Sequence, residues 1–178
     1  MIILGIDPGI ANTGYGIVKS ITNKVQPLHY GHIKTSSKEI SELRLKTIYD
    51  TIIELIDQFK VDEVVLEDIF FNKNVNSAIV VGEVKGIVKL AGANTNSPVT
   101  TYTPLQVKQS VVGYGKAEKI QVQRMVQALL KLKELPKPDH AADALALAIC
   151  HARSHKLLHL KESISAKLTV DKKDNTSV

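Results

Sequence analysis

The sequence has 178 residues, 44% of them hydrophobic and 23% charged, which fits one globular domain with its own core. It contains no run of 18 apolar residues and a single cysteine, Cys150. It therefore predicts no transmembrane helix, no disulfide framework and no cysteine-based zinc site. The formal net charge of +5 is compatible with a nucleic-acid partner but does not by itself indicate one.

The N-terminus reads as a strand and has no positively charged segment ahead of it, so we expect no signal peptide. Cys150 is expected on the buried side of a helix as a small hydrophobic residue. A single free cysteine fits a reducing compartment, and the expected location is the cytoplasm.

Short apolar runs predict five strands. The first two form a β-hairpin, in which Gly9 and Gly14 would supply turns at positive φ. A third, more polar strand would complete an antiparallel meander. The continuous apolar run Val64-Val65-Leu66 is typical of a strand covered on both faces. The predicted strands cover 2–7, 14–19, 28–35, 61–67 and 98–102.

Apolar residues at three- and four-residue steps predict helices between and after the strands. Thr103 as N-cap and Pro104 at the first position indicate the start of a short helix, and Gly113 ends it. The predicted helices cover 41–59, 78–91, 104–112, 117–132 and 139–155. This order predicts an α/β fold with a mixed five-stranded sheet flanked by helices. We expect one domain over 1–158 and a flexible C-terminal tail over 159–178.

Three acidic residues stand beside apolar sequence on separate elements. Asp7 ends the first strand and Glu67 ends the fourth, and these strands could be parallel neighbours with both carboxylates at one sheet edge. Asp7 could instead be a turn residue. In the last helix, Asp143 shares a face with His140, while Asp139 either joins them or favours the helix dipole.

Carboxylates in this setting are hard oxygen ligands for Mg²⁺ or Mn²⁺. The chemistry that needs several of them is two-metal phosphodiester hydrolysis. In that reaction two divalent ions about 4 Å apart activate the attacking water and stabilise the leaving oxygen.

Several motifs occur together and in order over about residues 2–155. They are GIDPG (5–9), TGYG (13–16), LEDIF (66–70), QVKQ (106–109), VVG (111–113), AEK (117–119) and HAADALA (140–146). In combination they resemble RuvC, the bacterial crossover junction endodeoxyribonuclease family. The resemblance implies a ribonuclease-H-like fold, a homodimer and Mg²⁺-dependent symmetric nicking of Holliday junctions. It also implies cooperation with the RuvA–RuvB branch-migration complex.

By this resemblance the metal-binding acids fall on Asp7, Glu67 and Asp143. Many members have aspartate where this chain has His140, and others have histidine. We expect His140 rather than Asp139 to complete the site, because His140 keeps the three-residue step to Asp143. A neutral imidazole can ligate a metal or orient the attacking water, although His140 could also be a surface cap. Two Mg²⁺ ions are expected per site, with Mn²⁺ as a substitute.

Aromatic and basic residues near these acids are candidates for DNA binding. The resemblance marks Phe70 as the residue that stacks on a junction base, and aromatic wedging is a general way to open a base step. Phe71 could belong to the core. Lys108, Lys116 and Lys119 lie near helix starts, where lysines are ordinarily solvated. Close to a metal site they would bind phosphates, and the resemblance falls on Lys108 and Lys119.

Gly82 and Gly86 lie on one face of the second predicted helix, where close packing would explain residues that lower helix propensity. The packing partner could be this domain's own sheet. The resemblance implies instead that this helix builds a dimer interface. A two-fold dimer places two active sites on a substrate of similar symmetry, so that both opposing strands are cut.

Three other functions are alternatives to junction cleavage. An actin- or sugar-kinase-like ATPase also has an apolar-Asp-x-Gly loop, but it needs a second such loop and an adenosine-binding Gly-Gly, which this sequence lacks. A related ribonuclease-H-like nuclease acting on RNA would use the same metals. A non-catalytic junction-binding protein would be expected to have lost a metal ligand.

Overall fold

The computed structural model of the protein describes residues 1–22, 24–68 and 75–155. The strands are β1 (Ile2–Asp7), β2 (Asn12–Ile21), β3 (Lys24–Lys34), β4 (Glu63–Glu67) and β5 (Val99–Tyr102). They form one sheet in the order β3-β2-β1-β4-β5. The first three strands are antiparallel, whereas β4 runs parallel to β1 and β5 runs parallel to β4. The predicted mixed five-stranded sheet is therefore confirmed.

Helices cover both faces of the sheet. They are α1 (Ser41–Phe59), α2 (Val75–Asn94), α3 (Pro104–Val112), α4 (Lys119–Leu130) and α5, which covers 139–155. One buried cluster joins α1 and α2 to one face, and a second joins α3, α4 and α5 to the other. None of the helices in the described ranges has the length and apolar character needed to cross a membrane. The predicted tail over 159–178 lies outside the described residues.

Most element boundaries match the sequence prediction, and the differences have local causes. Thr103 caps α3 through a capping box, as predicted. Helix α4 starts at Lys119 rather than at residue 117, because Glu118 forms a second capping box there. Strand β3 starts at Lys24 rather than at residue 28 and contains Pro27. An edge strand tolerates proline because one side of it needs no hydrogen-bond donor.

The prediction that Gly9 and Gly14 supply turns at positive φ is wrong. Among the described residues, Gly113 is the glycine with positive φ, at 98°. Gly14 lies within β2, and a Cβ atom there would be 2.1 Å from the carbonyl oxygen of His140. Glycine is needed at this position because α5 lies directly against the strand.

The close contact between α5 and the sheet continues along β1. A Cβ atom on Gly5 would lie 2.0 Å from the carbonyl oxygen of Ala144, so backbone meets backbone at this crossing. The facing residues of α5 are small and fully buried, including Ala141 and Ala148, and Cys150 is buried as predicted. This packing fixes the first turn of α5 beside the ends of the central strands.

Candidate active site at the ends of β1 and β4

The parallel pairing of β1 with β4 brings two carboxylates to one edge of the sheet. Ile6 pairs with Leu66, so Asp7 and Glu67 follow side by side at the ends of the two central strands. The parallel pairing that the sequence allowed is the one the sheet contains. Both side chains are partly buried.

The first turn of α5 adds two ligand groups to this edge. The Nδ1 atom of His140 lies 2.7 Å from Oδ2 of Asp7. Asp7, His140 and Asp143 each offer a ligand atom, and these atoms all lie within 4.8 Å of one another. Glu67 is outside that compact group, but it lines a cavity of about 220 Å³ together with Asp143.

The carboxylates repel one another in a partly dry environment. Burial, together with the negative charges of Asp7 and Asp143, raises the pKa of Glu67 to about 7. Burial also raises the pKa of Asp7, although its hydrogen bond to His140 acts in the opposite direction. The site therefore carries negative charge that the protein alone compensates poorly, which is the electrostatic condition that favours a bound cation.

Lys119 supplies a positive charge within the site. Its Nζ atom lies 2.9 Å from Oδ2 of Asp143 and 3.7 Å from Oδ2 of Asp139. Partial burial opposes the charged form of Lys119, but the hydrogen bond to Asp143 and the nearby carboxylates outweigh it and raise the pKa. The ammonium group thus contacts the acids directly.

Asp139 and His140, the two candidate site residues at the start of α5, have different surroundings. The Asp139 side chain is 67% exposed, and its recorded contact is with Lys119. His140 instead contacts Asp7 and joins the compact ligand group. The geometry favours His140 over Asp139 as the fourth member of the site.

The residues predicted from the sequence to bind DNA differ in their distance from the acids. Lys108 lines the same cavity as Glu67 and Lys119. Lys116 is exposed between α3 and α4, and no recorded contact of the described residues connects it to the acids. Phe70 and Phe71 lie outside the described residues.

Sequence reasoning missed one ion pair beside the site. Nζ of Lys85 on α2 lies 2.9 Å from Oδ1 of Asp68, the residue after Glu67. The positive charge of Lys85 also acts to lower the pKa of Glu67, against the larger effect of burial. Lys85 gave no local signal of this pair, because its partner Asp68 is remote in sequence and Glu83 and Lys89 are charged as well.

The two glycines of α2 do not pack against this domain. In the described part of the chain, no atom lies within 4 Å of a Cβ added at Gly82 or Gly86. Ile79 and Leu90 on the same helix are more than half exposed. Packing against the domain's own sheet therefore does not explain these glycines.

Comparison with known proteins identifies the family. The family model for the crossover junction endodeoxyribonuclease RuvC matches residues 3–151. A RuvC from Desulforamulus reducens is 54% identical over 153 residues, covering 86% of this chain and 94% of the relative. The chain belongs to the RuvC family. The resemblance noted in the sequence is thus confirmed.

Solved RuvC structures have the same architecture. Thermus thermophilus RuvC superposes with a TM-score of 0.83 at 38% identity, covering 88% of this chain and 96% of that one. A structure of T. thermophilus RuvC in complex with a Holliday junction substrate gives a TM-score of 0.84 at 39% identity, with the same coverages. The ribonuclease-H-like fold implied by the RuvC resemblance is confirmed.

The raised pKa of Glu67 predicts an unusual pH dependence of stability in metal-free protein. Its pKa is 4.5 in the unfolded chain and about 7 in the folded one, so between these values the folded state binds more protons. The free energy of unfolding should therefore fall as pH rises through this window. Thermal melting in a chelator, from about pH 5 to about pH 8, measures it.

The matched variant for this experiment is Glu67→Gln, which keeps the shape of the side chain and removes its titration. It should melt above wild type at about pH 8, and its pH dependence should be flatter. Added Mg²⁺ should raise the melting temperature of wild type more than that of the variant. Identical pH profiles for the two proteins would contradict the shifted titration.

Proposed function

We propose that this chain resolves four-way (Holliday) DNA junctions by metal-dependent hydrolysis of phosphodiester bonds. The observation that carries the proposal is the meeting of Asp7, Glu67, His140 and Asp143 at the ends of β1, β4 and α5. Membership of the RuvC family supports the junction as substrate, and the T. thermophilus relative was solved with a Holliday junction substrate.

The four residues fit a divalent metal centre. Asp7, Asp143 and His140 already hold their ligand atoms within 4.8 Å of one another, and Glu67 adds a carboxylate beside them. A donor set dominated by carboxylate oxygens suits Mg²⁺, with Mn²⁺ as a substitute. When two such ions are bound, they supply an activated water and stabilisation of the leaving oxygen.

The residues of the chain have their own parts in this reaction. Asp7 engages Nδ1 of His140, which fixes the imidazole ring and leaves Nε2 to bind a metal or accept a proton from water. Lys119 now neutralises Asp143. Its ammonium group would also contact a phosphate of the DNA, together with Lys108. Phe70 is proposed as the base-stacking wedge and Lys116 as a further phosphate contact.

We also propose a homodimer formed through α2. The open glycines Gly82 and Gly86 and the exposed apolar residues Ile79 and Leu90 support it. Two sites related by a two-fold axis would cut opposing strands of a junction at symmetric positions. Cooperation with RuvA–RuvB and a cytoplasmic location follow from the family resemblance and belong to the same proposal.

A cleavage assay on two substrates tests the proposed function. A mobile four-way DNA junction and an RNA–DNA hybrid of similar length are incubated with Mg²⁺, and the cut positions are mapped. Paired nicks at symmetric positions in the junction, with an intact RNA strand, are expected. Cleavage of the RNA strand alone would indicate an RNA nuclease. Junction binding without cleavage would indicate a non-catalytic binding protein.

The lysines beside the cavity predict a salt effect on junction binding. Lys108→Ala and Lys119→Ala should each reduce the slope of log Kd against log salt concentration by about one, because each removes one phosphate contact. Binding is measured in a chelator, so that the junction is not cut. Lys46→Ala is the control, because Lys46 is an exposed lysine on α1 that pairs with Asp50. An unchanged slope would place the substituted lysine away from DNA.

A further inference from the structure

Asp7, Glu67, His140 and Asp143 together form what is called here the acidic site. A second polar cluster lies at the opposite end of α5. His151 is 4% exposed. Its Nε2 atom lies 2.7 Å from Oε2 of Glu63, and its Nδ1 atom lies 3.0 Å from the hydroxyl oxygen of Tyr102. Both ring nitrogens of a buried imidazole are therefore engaged by side chains from other elements. His155, one turn further along α5, lies 3.7 Å from the other oxygen of Glu63.

The three residues of this chain of hydrogen bonds belong to the elements that build the acidic site. Glu63 is the first residue of β4, and Glu67 is the last. Tyr102 ends β5 and pairs directly with Glu67 in the sheet. His151 lies on α5, the helix whose first turn carries His140 and Asp143.

The spacing along the two elements matches. From Glu63 to Glu67 the strand rises about 13 Å, at roughly 3.3 Å per residue. From Asp143 to His151 the helix rises about 12 Å, at 1.5 Å per residue. Since Asp143 lines one cavity with Glu67 and His151 contacts Glu63, α5 runs antiparallel to β4, with the cavity at one end and the hydrogen bond at the other.

The close backbone contacts at Gly5 and Gly14 place α5 against β1 and β2. The surface between α5 and β4 consists instead of apolar side chains, including Val65, Ala146 and Leu147, which belong to one buried cluster. Apolar burial is non-directional, so on the β4 side it constrains the position of the helix along the strand less than a hydrogen bond does. A buried hydrogen bond has a definite length and angle, and breaking it leaves unsatisfied polar groups.

We propose that the Tyr102–His151–Glu63 chain fixes the position of α5 along β4 and thereby sets the distance of Asp143 and His140 from Glu67. His151 is then a positioning residue for the acidic site, and this inference rests on the proposed metal-binding function of that site. The neutral imidazole suits this role, since Nε2–H donates to Glu63 and Nδ1 accepts from the Tyr102 hydroxyl. Burial lowers the pKa of His151, against the raising effect of Glu63.

The test is Mn²⁺ affinity, measured by isothermal titration calorimetry in the absence of DNA. His151→Leu removes both hydrogen bonds and keeps apolar bulk in the core. It should weaken Mn²⁺ binding by about tenfold, because α5 carries two of the four proposed ligands and its displacement separates them from Glu67. Glu63→Gln keeps an acceptor oxygen for Nε2–H and should retain most of the affinity. Junction binding in a chelator should stay within about twofold of wild type.

Ser97→Ala is the matched control for lost stability. Ser97 is buried, and its hydroxyl donates to the carbonyl of Val61 just before β4, without a recorded contact to α5. It should lower the melting temperature while leaving Mn²⁺ affinity unchanged. Wild-type affinity in His151→Leu would overturn the proposal, as would an equal loss of affinity in Ser97→Ala.

If His151→Leu does not fold, Tyr102→Phe is the second variant. It should give a smaller loss of Mn²⁺ affinity, and an unchanged affinity would overturn the proposal.

Asp7→Asn separates this inference from the proposed function. If wild type binds Mn²⁺ and Asp7→Asn does not, the acidic site is the metal site, and the His151 variant then tests positioning alone. If Asp7→Asn binds Mn²⁺ as wild type does, the proposed metal site itself is wrong.

Discussion

Replacing Asp7, Glu67 or Asp143 by its amide should abolish junction cleavage and leave junction binding intact. Each carboxylate is expected to hold a metal ion whose contribution to the transition state is several kcal/mol. A loss of about 4 kcal/mol corresponds to a rate reduction of about 10³-fold. Cleavage rates at saturating protein, measured beside the Kd for the junction, give the two quantities separately.

The amide variants differ from wild type in charge far more than in shape. In Asp7→Asn the amide oxygen can still accept the hydrogen bond from His140, so the first turn of α5 keeps its position. In Asp143→Asn the Lys119 ammonium loses its closest carboxylate and is freer to contact phosphate, so binding should be equal or tighter.

Asp50→Asn is the control, because Asp50 lies on α1 and its recorded salt bridge is the exposed one with Lys46. It should cut junctions at the wild-type rate. Equal loss of binding and cleavage in all three site variants would mean that these acids maintain the fold or the DNA surface rather than hold metal.

The local sequence was sufficient to predict the parts of the site that lie at strand ends. The apolar runs that stop at Asp7 and Glu67 predicted both strands, and the intervening helix allowed them to be parallel neighbours, as the sheet register shows them to be. The three-residue step between His140 and Asp143 likewise predicted a shared helical face. These features follow from the periods of strands and helices, and periods can be read from one sequence.

Contacts between remote elements could not be predicted in this way. Gly14 has the local appearance of a turn residue, and its actual role depends on the backbone of His140 on α5. The pairing of Lys119 with Asp143 and of Glu63 with His151 depends on how helices lie across the sheet. A lysine or histidine on a helix gives no local signal of such a partner, because long-range packing selects it.

The close approach at Gly14 leads to the second large expected effect. A Cβ atom added there would lie 2.1 Å from the carbonyl oxygen of His140 and 2.4 Å from its carbonyl carbon. These are backbone atoms of α5, so no change of rotamer relieves the clash, and the first turn of the helix must move. Overpacking of this kind costs about 1–3 kcal/mol of stability.

Gly14→Ala should therefore reduce cleavage by about 10²-fold or more in protein that remains folded. The displaced turn carries His140 and Asp143, and a shift of about 1 Å in a catalytic group can cost a factor of this size. The contact between His140 and Asp7, now 2.7 Å, should lengthen, and Mn²⁺ affinity should fall with it. Cleavage rate, Mn²⁺ affinity and thermal melting are measured on the same preparations.

Gly31→Ala is the matched control, since it places the same methyl group in the neighbouring strand β3. The nearest atom there would be the hydroxyl oxygen of Tyr15 at 2.8 Å, at the far end of a side chain that can turn away. Both variants lose the same backbone freedom in the unfolded state, so that contribution cancels in the comparison. Gly31→Ala should cut junctions at nearly the wild-type rate. If Gly14→Ala does so too, the acidic site tolerates movement of α5, and the close packing of that helix serves stability alone.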